Sequence, residues 1–232
     1  MLEKLHQENN LRYERKFIHQ SPSRAEILLK IKHHPAFFSE IFHPRQVNNI
    51  YLDTRELKYY KANVIGISNR KKVRIRWYGD TFGLCKNPKL EYKIKSGLLG
   101  DKWTFPLADF ELKKGFSKAS LNQVINASQL NSIIQEDMKT LEPSLLNTYQ
   151  RTYFLSADKQ FRLTLDEELA YYYVDNTSNY FITKITQREN FILELKYLPE
   201  NDDAAAKIST AFPYRLSKSS KYVNGIDFMK IR

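Results

Sequence analysis

Residues 70–76 run Arg70, Lys71, Lys72, Val73, Arg74, Ile75, Arg76, an order with a chemical consequence. Successive side chains of a β-strand face opposite ways. In an extended chain Arg70, Lys72, Arg74 and Arg76 share one face, and Val73, Ile75 and Trp77 share the other. Four cations held that close repel unless an anion sits among them. Guanidinium groups also match phosphate oxygens in pairs. The chemistry on offer is capture of a strongly negative ligand.

The alternation recurs. Arg12, Glu14 and Lys16 share a face. Glu91, Lys93 and Lys95 lie opposite Leu90, Tyr92 and Ile94. Arg162, Thr164 and Asp166 lie opposite Phe161, Leu163 and Leu165, and Glu194 and Lys196 lie opposite Leu193, Leu195 and Tyr197. Tyr149 and Arg151 add a further pair. A sheet with one wet face also alternates, with cross-strand Glu–Lys pairs. Such faces mix Thr, Ser, Gln and Lys, whereas here Arg and Lys dominate. A closed sheet with a polar lumen explains both rows: charges line the channel, and helices cover the apolar outside.

The elements that must position these residues follow from pattern. Strands are expected at 12–18, 47–52, 62–78 and 89–95, then at 147–156, 160–166, 170–174, 180–186 and 191–197. Ser21, Pro22 and Ser23 offer a cap for a helix from Arg24 to His33, whose apolar positions include Ala25, Leu28, Leu29 and Ile31. Asp53 is placed to cap a short helix at 55–61. Residues 107–141 carry helical spacing around Phe110, Leu112 and Phe116, and again from Leu121 to Met138, so two or three helices are expected there. A helix follows at 201–212, and a basic final block, 213–232, ends in a short helix. The order of elements indicates an antiparallel α+β fold.

Composition narrows the function classes. The chain has 232 residues, with 37 Lys and Arg against 26 Asp and Glu. Its net charge of +11 and pI of about 9.5 point to a polyanionic partner. Its length suits a single domain, 1–232. Cys85 is the only cysteine, which excludes an internal disulfide and a Cys-based zinc site. The five histidines show no zinc spacing. The polar start is not a signal peptide, and no apolar run approaches the ~20 residues of a membrane helix. The expectation is a cytoplasmic protein with no membrane segment. Gly97 to Gly100 lacks the Gly-Lys-Ser/Thr ending of a P-loop and is read as a loop.

Eight segments then carry a family resemblance: residues 12–17 (Arg12 to Phe17), 50–54 (Ile50 to Thr54), 74–79 (Arg74 to Gly79), 90–95 (Leu90 to Lys95), 149–151 (Tyr149 to Arg151), 161–166 (Phe161 to Asp166), 193–196 (Leu193 to Lys196) and 217–222 (Ser217 to Tyr222). In that order, spanning nearly the whole chain, they resemble the polyphosphate polymerase domain of the vacuolar transporter chaperone (VTC) family, within the triphosphate tunnel metalloenzymes. The resemblance implies an eight-stranded antiparallel β-barrel tunnel with helices packed outside. It implies transfer of the γ-phosphate of ATP to a growing polyphosphate chain, with ATP and polyphosphate as partners. It gives phosphate-ligand roles to Lys16, Arg74, Arg76, Lys93, Arg151, Arg162, Lys218 and Lys221. Lys196 and Asp166 would support the lumen, with Lys196 also reaching substrate. Glu194 would hold Mn²⁺ or Mg²⁺. Arg70 and Lys72 are expected at the tunnel mouth.

One departure separates the branches of that superfamily. Its hydrolases favour Glu-x-Glu-x-Lys in the first strand, and here Arg12 stands where the first Glu would be. Fewer carboxylates favour the polymerase-like branch. The chain shows neither an inositol-phosphate-sensing domain nor membrane helices, so product translocation is not expected of it. Two rivals stay open: a tunnel hydrolase of inorganic triphosphate or nucleoside triphosphates, and a non-enzymatic polyanion or RNA binder. Nucleic acid is the less expected partner, because the consecutive Tyr171, Tyr172 and Tyr173 cannot share a stacking face.

Overall fold

The structure is a computed structural model that describes residues 12–20, 23–96, 99–175 and 177–230. One antiparallel sheet runs through most of it. Its strands are β1 (Tyr13–Gln20), β2 (Ser39–Asp53), β3 (Arg70–Tyr78), β5 (Lys89–Ser96), β6 (Leu99–Pro106), β8 (Glu142–Leu155), β9 (Arg162–Tyr173), β10 (Lys184–Gln187) and β11 (Asn190–Tyr197). The path β1-β11-β9-β8-β2-β3-β5-β6 contains eight strands, with β10 paired to β9. A separate two-stranded ladder joins β4 (Gly83–Cys85) to β7 (Phe110–Leu112). The helices are α1 (Arg24–Lys32), α2 (Lys58–Ile65), α3 (Lys118–Ala127), α4 (Ser132–Lys139), α5 (Asp202–Ala211) and α6 (Lys221–Lys230).

Local chemistry explains most helix starts. The Ser23 hydroxyl accepts the Glu26 N–H and caps α1. Ser117 and Ser120 form a capping box on α3, and Asn131 caps α4. Asp53 accepts the N–H groups of Thr54, Tyr59 and Tyr60 at 2.7, 2.9 and 2.8 Å. It therefore caps α2 as expected, but from further back. Leu57, in the left-handed region at φ 56°, delays the helix to Lys58, so residues 62–65 are helical rather than extended.

Further expectations change, among them the start of the strand expected at 147–156, which begins at Glu142. Residues 110–112 are a strand, since Phe110 and Leu112 are buried and Glu111 between them is exposed; Phe116 lies in a turn and bridges Asn179. β2 begins at Ser39, and β6 was not foreseen; Leu99 and Gly100, read as loop, belong to it, while Gly97 and Leu98 lie outside the described residues. Among the strand-side expectations, 180–186 shrinks to Lys184–Gln187. In α1 the buried positions are Ile27 and Ile31, while Leu29 is 55% exposed. Finally, 160–166 and 170–174 form one strand. Its ladder with β8 slips between Thr148 and Gln150, and Glu168 sits at φ 54°. Such a bulge swaps the inward parity. Thr164 and Asp166 face the lumen before it, Leu169 and Tyr171 after it.

The outer rows are covered as the alternation requires. Val73, Ile75, Trp77, Leu90 and Tyr92 pack under Leu121, Val124 and Ile125 of α3 and Ile134 and Met138 of α4. Phe17, Leu163, Leu165, Leu193 and Leu195 pack under α1 and α5. A third cluster fills one end of the barrel itself: Tyr51, Leu145, Tyr171 and Ile192 close around Tyr222 and Ile226 of α6. Tyr222 donates to Asp53 at 2.6 Å, and Tyr60 donates to Asp227, fastening α6 to α2.

Among the described residues no ladder joins β1 to β6, the two ends of the path, and the sheet curls so that β5, next to the β6 end, meets β1 through side chains. Lys93 of β5 reaches Glu14 of β1 at 2.8 and 3.0 Å. The free edge of β1 is met by the segment before α6: Phe17 bridges Leu216, and Ser217 N–H donates to the Lys16 carbonyl at 2.8 Å. Among the described residues, no helix is long and apolar enough to cross a membrane.

Candidate active site

Cross-strand register carries the alternating charges into one lumen. Glu14 and Lys196 are opposite each other, as are Lys16 and Glu194, Arg74 and Glu91, and Arg151 and Asp166. Among the described residues nine cations meet inside it, Lys16, Lys72, Arg74, Arg76, Lys93, Lys102, Arg151, Lys196 and Lys221, with Arg70 and Lys95 opposite each other further along the same rows. Among the described residues four carboxylates, Glu14, Glu91, Asp166 and Glu194, form ion pairs with them.

Each carboxylate organises a group of cations. Glu91 takes Arg74 at 2.7 Å and Lys102 at 2.6 Å, with Arg76 at 3.7 Å. Asp166, fully buried, takes Arg151 at 2.5 and 2.6 Å and Lys221 at 2.5 Å. Glu194 takes Lys196 at 2.7 Å and Lys16 at 3.4 Å. Glu14 takes Lys93 and lies 3.9 Å from Lys196 and 4.0 Å from Lys16. Burial alone would raise the Glu194 carboxyl; Lys196, Lys16, Arg151 and Lys93 outweigh it and hold it well below the usual range. Burial is likewise outweighed at Glu91 by Arg74, Arg76 and Lys102, and at Asp166 by Arg151 and Lys221, which hold that carboxyl at about 2. All three stay ionised, so the guanidinium and ammonium groups are fixed in place before any ligand arrives.

Neutral groups complete the wall. Arg76 donates to Asn49 Oδ1 at 2.9 Å and to the Tyr149 hydroxyl at 3.1 Å. Lys221 Nζ lies 4.6 Å from the Tyr149 ring centroid, and the Arg151 guanidinium carbon 5.2 Å. Burial pushes the Tyr149 phenol up, but Arg151, Arg76 and Lys221 bring it down to about 8. Asn49 donates to Asn147 Oδ1, leaving Asn147 Nδ2 buried without a protein partner among the described residues; Thr164 Oγ1 is in the same condition. Buried polar atoms are normally satisfied, so these are spare groups for a polar ligand.

The structure brings together most of the residues singled out from sequence. Lys16, Arg74, Arg76, Lys93, Arg151, Glu194, Lys196 and Lys221 share the lumen. Arg162 is exposed, at the end of β9 opposite Lys196, and Lys218 is exposed before α6; neither joins the packed network among the described residues. Lys72 lies inside the lumen rather than at its mouth, opposite Lys93. Lys102, Tyr149, Asn49 and Asn147 were missed as site residues. Alternation through Lys102 and Thr104 was the available signal for β6; no periodic signal marks a lone inward Asn.

The donor set suits a hard divalent ion only in company. Among the described residues, no group of three or more His, Cys, Asp or Glu could hold one. Glu194 is ionised, buried and inward, and Glu14 lies near the same two lysines, so phosphate oxygens would supply the remaining ligands.

Two solved structures share the architecture. A Hippeastrum protein described as a candidate adenylyl cyclase with a dominant triphosphatase activity superposes with a TM-score of 0.51, at 13% identity, covering 93% of this chain and 96% of that one. A protein from Vibrio parahaemolyticus, described as a candidate adenylate cyclase, gives 0.50 at 12% identity, covering 94% of this chain and 99% of that one. At such identities the likeness shows the fold, the triphosphate tunnel. Comparison with curated proteins finds no match. The sequence model of the VTC domain matches residues 11–230.

Proposed function

Because this chain belongs to the VTC domain family, we propose that it transfers the γ-phosphate of ATP to a growing polyphosphate chain inside the tunnel. The observation that carries this reading is the lumen's excess of cations among the described residues: nine, eight of them held by just four carboxylates. Phosphoryl transfer asks a protein mainly for positioning and charge stabilisation. Arg74 and Arg76, held by Glu91, face the tunnel from one side, and Arg151 and Lys221, held by Asp166, from another. Fixed groups on several walls can align donor and acceptor phosphates and offset charge on the transferred group. Lys16, Lys93 and Lys196 add point charges, and Arg162 and Lys218 would guide the chain from exposed positions. The attacking terminal phosphate is already ionised, so no protein base is needed.

Mg²⁺ or Mn²⁺ fits Glu194, with Glu14 nearby, and would neutralise charge shared between the phosphates. A second reading, hydrolysis of inorganic triphosphate or of a nucleoside triphosphate, is favoured by the shared fold with the Hippeastrum protein and its described triphosphatase activity.

The test is incubation of purified protein with ATP and Mn²⁺, with products run on a gel that resolves phosphate chains. A ladder supports the polymerase. Orthophosphate alone supports the hydrolase and overturns the polymerase. Tight polyphosphate or RNA binding without turnover overturns both.

A further inference from the structure

Eight of the nine lumen cations share the four carboxylates: Lys16, Arg74, Arg76, Lys93, Lys102, Arg151, Lys196 and Lys221 each pair with at least one. Lys72 is the ninth, and among the described residues no carboxylate forms an ion pair with it. Its ammonium donates to the Ser220 hydroxyl at 2.8 Å. The charges that act on it most are Lys16 from β1, Lys93 from β5, and Arg70 and Arg74 from its own strand, while Asp53 of β2, one step past the Leu52–Val73 pair, is engaged by the Tyr222 hydroxyl and the N–H groups of Thr54, Tyr59 and Tyr60. Ser220 is itself neutral; its segment runs along β1 with Lys218 exposed and leads into α6 at Lys221, which is paired with Asp166. A half-buried ammonium ringed by cations is costly in the empty protein.

We propose that Lys72 is a phosphate ligand of the tunnel and that the bound phosphate chain serves as its counter-ion. This rests on the reading of the lumen as a polyphosphate site and adds to it a residue with a distinct task. The paired cations are neutralised beforehand and supply position. Lys72 is not, so a phosphate oxygen taking the place of the Ser220 hydroxyl gives it the ion pair that no carboxylate among the described residues provides. Burial, with Lys16, Lys93, Arg70 and Arg74, holds its ammonium down at about 7. A polyanion beside it raises that value, so binding above neutrality draws in a proton. The same residue costs the empty protein stability at and below neutral pH and less as pH rises toward the ordinary lysine value. Groups that destabilise the empty fold are a mark of function.

The test is calorimetric titration with inorganic tripolyphosphate, in buffers of differing ionisation enthalpy, on the wild type and on Lys72→Gln, Lys72→Arg and Ser220→Ala. Tripolyphosphate's own protonation is common to all four and cancels in the comparison. Lys72→Gln is expected to lose affinity about 10- to 100-fold below neutral pH, while melting higher than the wild type when empty. Lys72→Arg is expected to bind tightly yet to lack the extra proton that the wild type takes up above pH ~7. Ser220→Ala is expected to keep its affinity. The inference is overturned if Lys72→Gln binds as the wild type does, or if Ser220→Ala weakens binding equally, since Lys72 would then only anchor the segment. Equal proton uptake by Lys72→Arg and the wild type also overturns it. A wild type that binds no tripolyphosphate at any pH overturns the polyphosphate reading itself, a result distinguishable from all of these.

Discussion

Lys221, the first residue of the last helix, meets Asp166 in the middle of β9 at 2.5 Å, on the same carboxylate that holds Arg151. One fully buried acid thus joins the C-terminal helix to the tunnel wall and sets two cations at once. Replacing it uncovers both. Asp166→Asn is expected to cost about 3–5 kcal/mol, the range for breaking a buried pair from one side, and to abolish activity. The acid limb of stability should report the same group. Its folded value, about 2, lies below the ordinary 3.8. Its contribution is therefore complete above pH 3.8 and lost as pH falls through about 2, amounting to on the order of 2 kcal/mol. Urea melts of wild type and variant across that window check it; parallel pH curves would sink the assignment.

Arg74→Ala should separate binding from folding. Glu91 keeps Lys102 at 2.6 Å, so the variant leaves no unpaired buried acid. Tripolyphosphate affinity should fall about 10- to 100-fold, the worth of a charge-assisted phosphate contact, with a small change in melting temperature. Normal polymerisation by this variant would remove Arg74 from the site.

Glu194→Gln keeps the shape of the side chain and removes its charge. Activity should collapse, and what remains should need more Mn²⁺ or Mg²⁺ for half-maximal rate. The measurement is rate against metal concentration. An unchanged curve would show that Glu194 only balances Lys196 and Lys16.

Tyr149 supplies a spectroscopic signal. Its phenol sits at about 8 against an ordinary 10. Absorbance near 295 nm should show one phenol titrating around pH 8, absent from Tyr149→Phe. Because the folded value is depressed, the unfolded chain holds more protons between pH 8 and 10, and stability should rise across that window in the wild type relative to the variant.

Gly225 tests how tightly α6 closes the barrel end. A Cβ built there would lie 2.6 Å from the Tyr171 ring and closer still to Leu145. Gly225→Ala is expected to destabilise by about 1–3 kcal/mol through overpacking, read as a lower melting temperature. A neutral substitution would mean that the helix end is loosely seated.

Strand identity and inward faces were legible because they are local. Side chains alternate along an extended chain whatever lies across from them, so Arg74, Arg76, Lys93, Glu194 and Lys196 declared their shared character in one dimension. Capping was legible for the same reason: Ser23 and Asp53 act within a few residues of themselves. Phe110 and Leu112 misled because an isolated three-residue strand and a helix turn use the same sparse apolar spacing.

What the amino-acid order determined by itself is the alternation of cation and apolar side chain, and hence a charged face that must meet an anion. Which cation is neutralised by which acid was decided only in three dimensions. Cross-strand register sets those distances, and it depends on bulges such as the one at Glu168 and on a C-terminal segment lying along β1. Lys72 shows the difference. In sequence it is one of four equivalent cations; in the folded protein Arg74 and Arg76 share Glu91, Arg70 turns to the Ile67 carbonyl, and Lys72 stands in the tunnel with no carboxylate ion pair among the described residues.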